Sequence, residues 1–79
     1  MTNIEKYNES FKSSFQVTEE QLASLKYQSV EGWDSVGHMN LIAVLEEAFD
    51  IMMETDDIID LSSYEKGKEI LSEKYDIQF

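Results

Sequence analysis

Gly32-Trp33-Asp34-Ser35-Val36-Gly37-His38-Met39-Asn40-Leu41 carries the chain from an irregular segment into its strongest helical pattern. Leu41, Ile42, Leu45, Ala48 and Phe49 recur at helical spacing, which predicts a helix from about Ser35 to Asp50 with a broad core-facing side. Asp and Ser both cap helices by accepting a hydrogen bond from a first-turn N–H, so the plainest reading makes Asp34 or Ser35 the cap. A serine hydroxyl at this place has a second use. It is exposed, and a phosphate esterified to it would face unpaired backbone N–H groups and the positive end of the helix dipole.

The same helix carries a second apolar stripe. At about 100° per residue, Val36, Met39 and Ala43 fall almost opposite the core face, flanked by Glu46, Glu47 and Asp50. An apolar strip rimmed by acids reads as a docking surface for another protein. The alternative is scattered surface apolar residues, which are ordinary.

Composition bounds the function. Seventy-nine residues make one domain, and 42% hydrophobic content with nine aromatics is enough for a folded core. With no proline and three glycines, helices are favoured over a turn-rich β fold. The absence of cysteine excludes disulfides, thiolate metal sites and cysteine nucleophiles. No apolar run approaches a membrane span and Met1-Thr2-Asn3-Ile4-Glu5 lacks a signal peptide's regions, so a soluble, cytoplasmic, monomeric protein is expected. Net charge is −11, from seventeen acids against six lysines. That argues against nucleic acid, whose binding depends on neutralising phosphates with Lys and Arg. No basic residue lies between Lys26 and Lys66, whereas ten of the acids do, and such a field attracts basic protein surfaces.

The remaining elements follow from local signals. Thr2 and Glu5 have capping-box spacing, and Ile4, Tyr7, Phe11 and Phe15 extend a first helix from about Asn3 to Phe15. From Gln16 to Trp33 the pattern is irregular. Thr18-Glu19-Glu20-Gln21 can open one helical turn, and the rest reads as a long loop pinned by Val17, Leu22, Leu25, Tyr27, Val30 and Trp33. Thr55 or Asp56 starts a short helix through Ile59. Ser62 and Glu65 predict a capping box for a last helix to about Lys74, with Tyr64, Gly67, Ile70 and Leu71 facing inward. Gly67 costs that helix about 1 kcal/mol against Ala, which points to a close approach by another helix. The tail Asp76-Ile77-Gln78-Phe79 is expected to be loosely docked or frayed. The sum is an all-α fold, a small four-helix bundle of three longer helices and one short one.

From Gly32 to about Leu71 the sequence resembles an acyl carrier protein. The resemblance rests on Asp34-Ser35 followed by an apolar residue, on Leu45-Glu46-Glu47 and Phe49-Asp50, on the acidic segment with its short helix, and on the Ser-led last helix. It implies a single carrier domain over residues 1–79 whose Ser35 receives 4′-phosphopantetheine from coenzyme A through a phosphopantetheinyl transferase. The arm would supply the thiol that a chain without cysteine lacks, and would hold acyl or aminoacyl groups as thioesters. Asp34 would help place the serine and the transferase's metal ion. Val36, Met39, Ala43, Glu46, Glu47, Asp50, Asp56 and Asp57 would meet acyl-loading and acyl-consuming enzymes through their basic docking surfaces. Met52, Met53, Asp56, Asp57 and Ile58 would lie beside the mouth of the bundle. Val36 in place of the family's usual leucine, Gly37 and Asn40 in place of frequent acids, and Met53-Glu54 in place of Ile-Pro imply a dedicated carrier in a specialised pathway.

Three other functions could use the same residues. A hydrolase would need Ser35 and His38 to pair, but His38 is rotated about 60° towards the core and no oxyanion loop accompanies it. A calcium loop starting at Asp50 puts Met52, Thr55 and Leu61 where an EF-hand needs an oxygen ligand, a glycine and a glutamate. A non-catalytic acidic interaction domain, with Ser35 only a helix cap, uses the same charged surface and is the main alternative.

Overall fold

The computed structural model describes the whole chain, Met1–Phe79, as an all-α fold of five helices. These are α1 (Asn3–Phe15), α2 (Glu19–Leu22), α3 (Ser35–Phe49), α4 (Thr55–Asp60) and α5 (Tyr64–Lys74). The three longer helices lie where the apolar periodicity put them. One more helix is present than the four expected, because the Thr18-Glu19-Glu20-Gln21 turn closes into α2.

α1 opens with the predicted capping box. Glu5 N–H donates to the Thr2 hydroxyl while Thr2 N–H donates to the Glu5 carboxylate at 2.9 Å. Its inner face buries Tyr7, Phe11 and Phe15, and α3 adds Leu41, Ile42 and Leu45. Tyr64, Ile70 and Leu71 of α5 complete the core with Trp33, Leu22, Leu25, Met53 and Leu61. Gly67 has the reason its sequence position implied. A Cβ there would collide with the Tyr7 hydroxyl, which donates at 2.6 Å to the Tyr64 carbonyl in the gap between α1 and α5. Burial also pushes the Tyr7 phenol well above its usual pKa, so it remains a donor.

One local expectation shifts. α5 is capped by Ser63, whose hydroxyl accepts from Lys66 N–H at 3.0 Å, and Ser62 stays outside the helix. The cause is tertiary. Tyr27 N–H donates to the Ser62 carbonyl at 2.8 Å and Tyr64 N–H to the Leu25 carbonyl at 3.0 Å, so the chain is still extended at Ser62 and Ser63. Of the two states expected for the tail, it takes the docked one. Ile77 N–H reaches the Leu71 carbonyl at 3.1 Å, the Gln78 carbonyl accepts from Asn3 at 2.9 Å, and the Phe79 ring lies 5.2 Å from Tyr7. No helix is long and apolar enough to cross a membrane.

Asp57 corrects the expected docking surface. It is 3% exposed and turned inward, accepting from Lys74 Nζ at 2.7 Å and from Tyr75 Oη at 2.6 Å. Tyr75 in turn accepts Glu54 N–H at 2.8 Å, a first-turn donor that no capping side chain of α4 satisfies. Asp57 therefore clamps α4 to the end of α5 and is not available to a partner. The Lys74 hydrogen bond, with that of Tyr75, holds its carboxyl below the usual carboxylate range. A lowered folded pKa adds stability that is present above the unfolded value of about 4 and is lost as pH falls through the folded one. Asp57→Asn should lower the melting temperature at neutral pH by about 4–8 °C, the shift expected from ~1 kcal/mol in a domain this small. It should also flatten the acid side of the stability curve in thermal melts run from neutral pH downward.

Candidate functional site

Of the two capping candidates, Asp34 is the one used. Its carboxylate oxygen Oδ1 accepts Gly37 N–H at 2.8 Å, and its carbonyl accepts His38 N–H at 2.8 Å. Ser35 is the first residue of α3, exposed, and its hydroxyl makes no capping bond. The N–H groups of Ser35 and Val36 have no acceptor in the chain. Of the four donors at this helix start only Gly37 N–H is satisfied, which leaves the Ser35 and Val36 N–H groups open beside the serine, at the positive end of the α3 dipole. These open donors suit a phosphodiester on Ser35 Oγ.

The approach of the chain to this corner depends on Gly37. A Cβ at 37 would collide with the Gly32 carbonyl, so only glycine lets the Gly32-Trp33-Asp34 segment lie across the first turn of α3. Behind it Trp33 is fully buried, its ring stacked on Phe15 with centroids 4.9 Å apart. Its indole N–H donates to His38 Nδ1 at 2.9 Å, and His38 Nε2 lies 2.7 Å from the Ile58 carbonyl. An indole can only donate and a carbonyl can only accept, so His38 carries its proton on Nε2. Half-buried and bonded at both nitrogens, it has no lone pair left to take a proton from Ser35. Sequence reasoning placed His38 at the core side of the helix but had no means of naming Trp33 and Ile58 as its partners.

Tyr27 is a site residue that sequence reasoning counted as a core pin. It is 38% exposed and its hydroxyl lies 3.3 Å from Ser35 Oγ, with its ring edge-on to His38 at 5.7 Å. The extended pairing of Lys26 with Ser63 holds it there. Tyr27, Ser35, His38, Met39, Ile58, Ile59, Leu61 and Ser62 together line a groove of about 360 Å³ that runs from the serine between α3 and α4. Ile58 is at its mouth as expected. Met52 and Met53 are not, since Met52 projects 86% exposed elsewhere and Met53 is buried in the core.

The remaining predicted residues divide by exposure. Val36 (71% exposed) and Met39 (54% exposed) stand out from α3, with Ala43, Glu47, Asp50 and Asp56 also exposed. Glu46 is half-buried and spends Oε2 on Met53 N–H at 2.9 Å, fixing the turn after α3. No three His, Asp or Glu side chains converge in a way that could hold a metal ion. Compared with models of known families, with curated proteins and with solved structures, the chain matches none.

The division of labour between Asp34 and Ser35 has a direct consequence. Asp34→Ala should cost about 1 kcal/mol of cap stability, whereas Ser35→Ala should stay within about 0.5 kcal/mol of wild type in urea unfolding. A Ser35→Ala loss as large as that of Asp34→Ala would mean that the hydroxyl is a cap after all.

Proposed function

We propose that this chain is a carrier protein of the acyl carrier type, a four-helix bundle of α1, α3, α4 and α5 that bears 4′-phosphopantetheine on Ser35. One observation carries the reading. An exposed serine hydroxyl, idle as a cap, stands beside two open backbone donors at the mouth of an apolar groove. When bound, the arm supplies a thiol on which acyl or aminoacyl groups are held as thioesters.

The chain's own residues do the rest. Ser35 Oγ would be the nucleophile of attachment, giving its proton to a base of the transferase and forming an O–P bond as the P–O bond of coenzyme A's pyrophosphate breaks and adenosine 3′,5′-bisphosphate leaves. Ser35 and Val36 N–H would hold the resulting phosphodiester, and the Tyr27 hydroxyl lies within reach of Ser35 Oγ. Asp34 keeps one carboxylate oxygen on the cap and has the other for the transferase's metal ion. Val36, Met39 and Ile59 give apolar contacts to partner enzymes, and Glu47, Asp50, Asp56 and Asp60 give the charge that meets their basic surfaces.

An acidic interaction domain is the second reading, supported by the same exposed strip with its acids. It has no use for an idle Ser35 hydroxyl. The test is intact-protein mass spectrometry after incubation with coenzyme A and a broad-specificity transferase. A single phosphopantetheine increment, absent from Ser35→Ala, is expected. No increment with several transferases would leave the interaction domain as the account of this chain.

A further inference from the structure

The groove beside Ser35 is walled on its inner side by His38 and Leu61. A chain entering from the serine can go deeper only by passing inward between α3 and α4, and His38 stands across that passage. Its ring is tied to Trp33 on the loop side and to the Ile58 carbonyl on the α4 side. Opening the passage breaks both bonds and strands the indole N–H of a fully buried tryptophan, a donor with no other acceptor at hand. The floor is closed as well, by Leu61 at 1% exposed and by the Phe15–Trp33–His38 ring stack. Outside, the groove ends on Met39 and Ile59, both exposed, so a long chain overrunning the mouth would lie in water. The rim also carries the hydroxyls of Tyr27 and Ser62, which can hydrogen-bond the carbonyl end of an acyl group while Met39, Ile58 and Ile59 line the rest.

On the carrier reading above, we infer that the cargo is a short acyl group ending within the mouth of this groove, and that His38 sets the length limit. The bundle interior is not a store for long chains. His38 acts by occupying the passage, and its two hydrogen bonds keep it from swinging aside as an unpinned side chain would.

The experiment loads Ser35 with acetyl-, butanoyl- and dodecanoyl-phosphopantetheine from the matching coenzyme A thioesters. Two quantities are then read for each form: the rate of thioester cleavage by hydroxylamine, followed by intact mass, and the melting temperature. In the wild-type protein the dodecanoyl thioester should be cleaved within about twofold of the acetyl one, with no rise in melting temperature from butanoyl to dodecanoyl, because no further methylenes are buried. In His38→Ala the passage opens, and dodecanoyl cleavage should fall at least about tenfold below acetyl cleavage as the chain enters the core. His38→Thr is the second variant, smaller than His yet with a hydroxyl to receive the Trp33 N–H, and should move the same way. Wild-type protection and melting temperature that climb with chain length overturn the proposal, whatever the stability of the variants. Folded variants that still leave dodecanoyl unprotected overturn the part assigned to His38. If no form gains the phosphopantetheine mass, the carrier reading itself fails, an outcome separate from both.

Discussion

Trp33 is buried to its last atom, and its indole N–H has to find an acceptor inside the protein. His38 provides it at Nδ1, which forces the proton onto Nε2 and sends that N–H to the Ile58 carbonyl. One imidazole thus joins the loop before α3, α3 itself and the short helix α4. Gly37 makes the junction possible by letting the Gly32 carbonyl lie against the first turn of α3. Asp34 then ends the loop by capping that turn. What emerges at the surface is Ser35, one residue past the cap, beside Tyr27 and above the groove. The serine's exposure and its freedom from capping are consequences of how the aromatic core behind it is satisfied.

Much of this fold was legible in the residues because it is local. Thr2 with Glu5, and Tyr7, Phe11 and Phe15 at helical spacing, define α1 without help from the rest of the chain. The apolar run Leu41, Ile42 and Leu45 does the same for α3. Gly67 signalled a close approach, although nothing in its neighbours identified Tyr7 as what approaches. The misreadings are all long-range. Asp57 looked like one more surface acid in an acidic stretch, and only the fold brings Lys74 and Tyr75 to it. Ser62 has the spacing of a cap, yet pairing with the segment around Tyr27 keeps it extended and hands the role to Ser63. Tyr27 looked like core for the same reason, and its place beside Ser35 depends on that pairing. The carrier resemblance puts Met53 at the mouth, whereas the Glu46 carboxylate ties its N–H down and its side chain turns inward.

The site therefore combines features of different origin. The helix start with its open donors was readable at Asp34-Ser35, as was the acidic, apolar strip of Val36 and Met39. The groove was not, because its walls come from the loop, from α3 and from the segment 58–62. Ser35 and its open backbone donors lie at the first turn of α3, next to Val36 and Met39, while Glu47 and Asp50 lie towards the other end of the helix.

The central claim is that the open end of α3 receives a phosphodiester on Ser35. The most direct measurement is the amide proton–nitrogen NMR spectrum before and after treatment with coenzyme A and a transferase. If Ser35 takes the phosphodiester, the Ser35 and Val36 amides gain an anionic acceptor and should shift most, with smaller changes at Tyr27 and Gly37 and a quiet far side of the bundle. A spectrum that does not change, or one in which the Ser35 and Val36 amides stay fixed while others move, would contradict it.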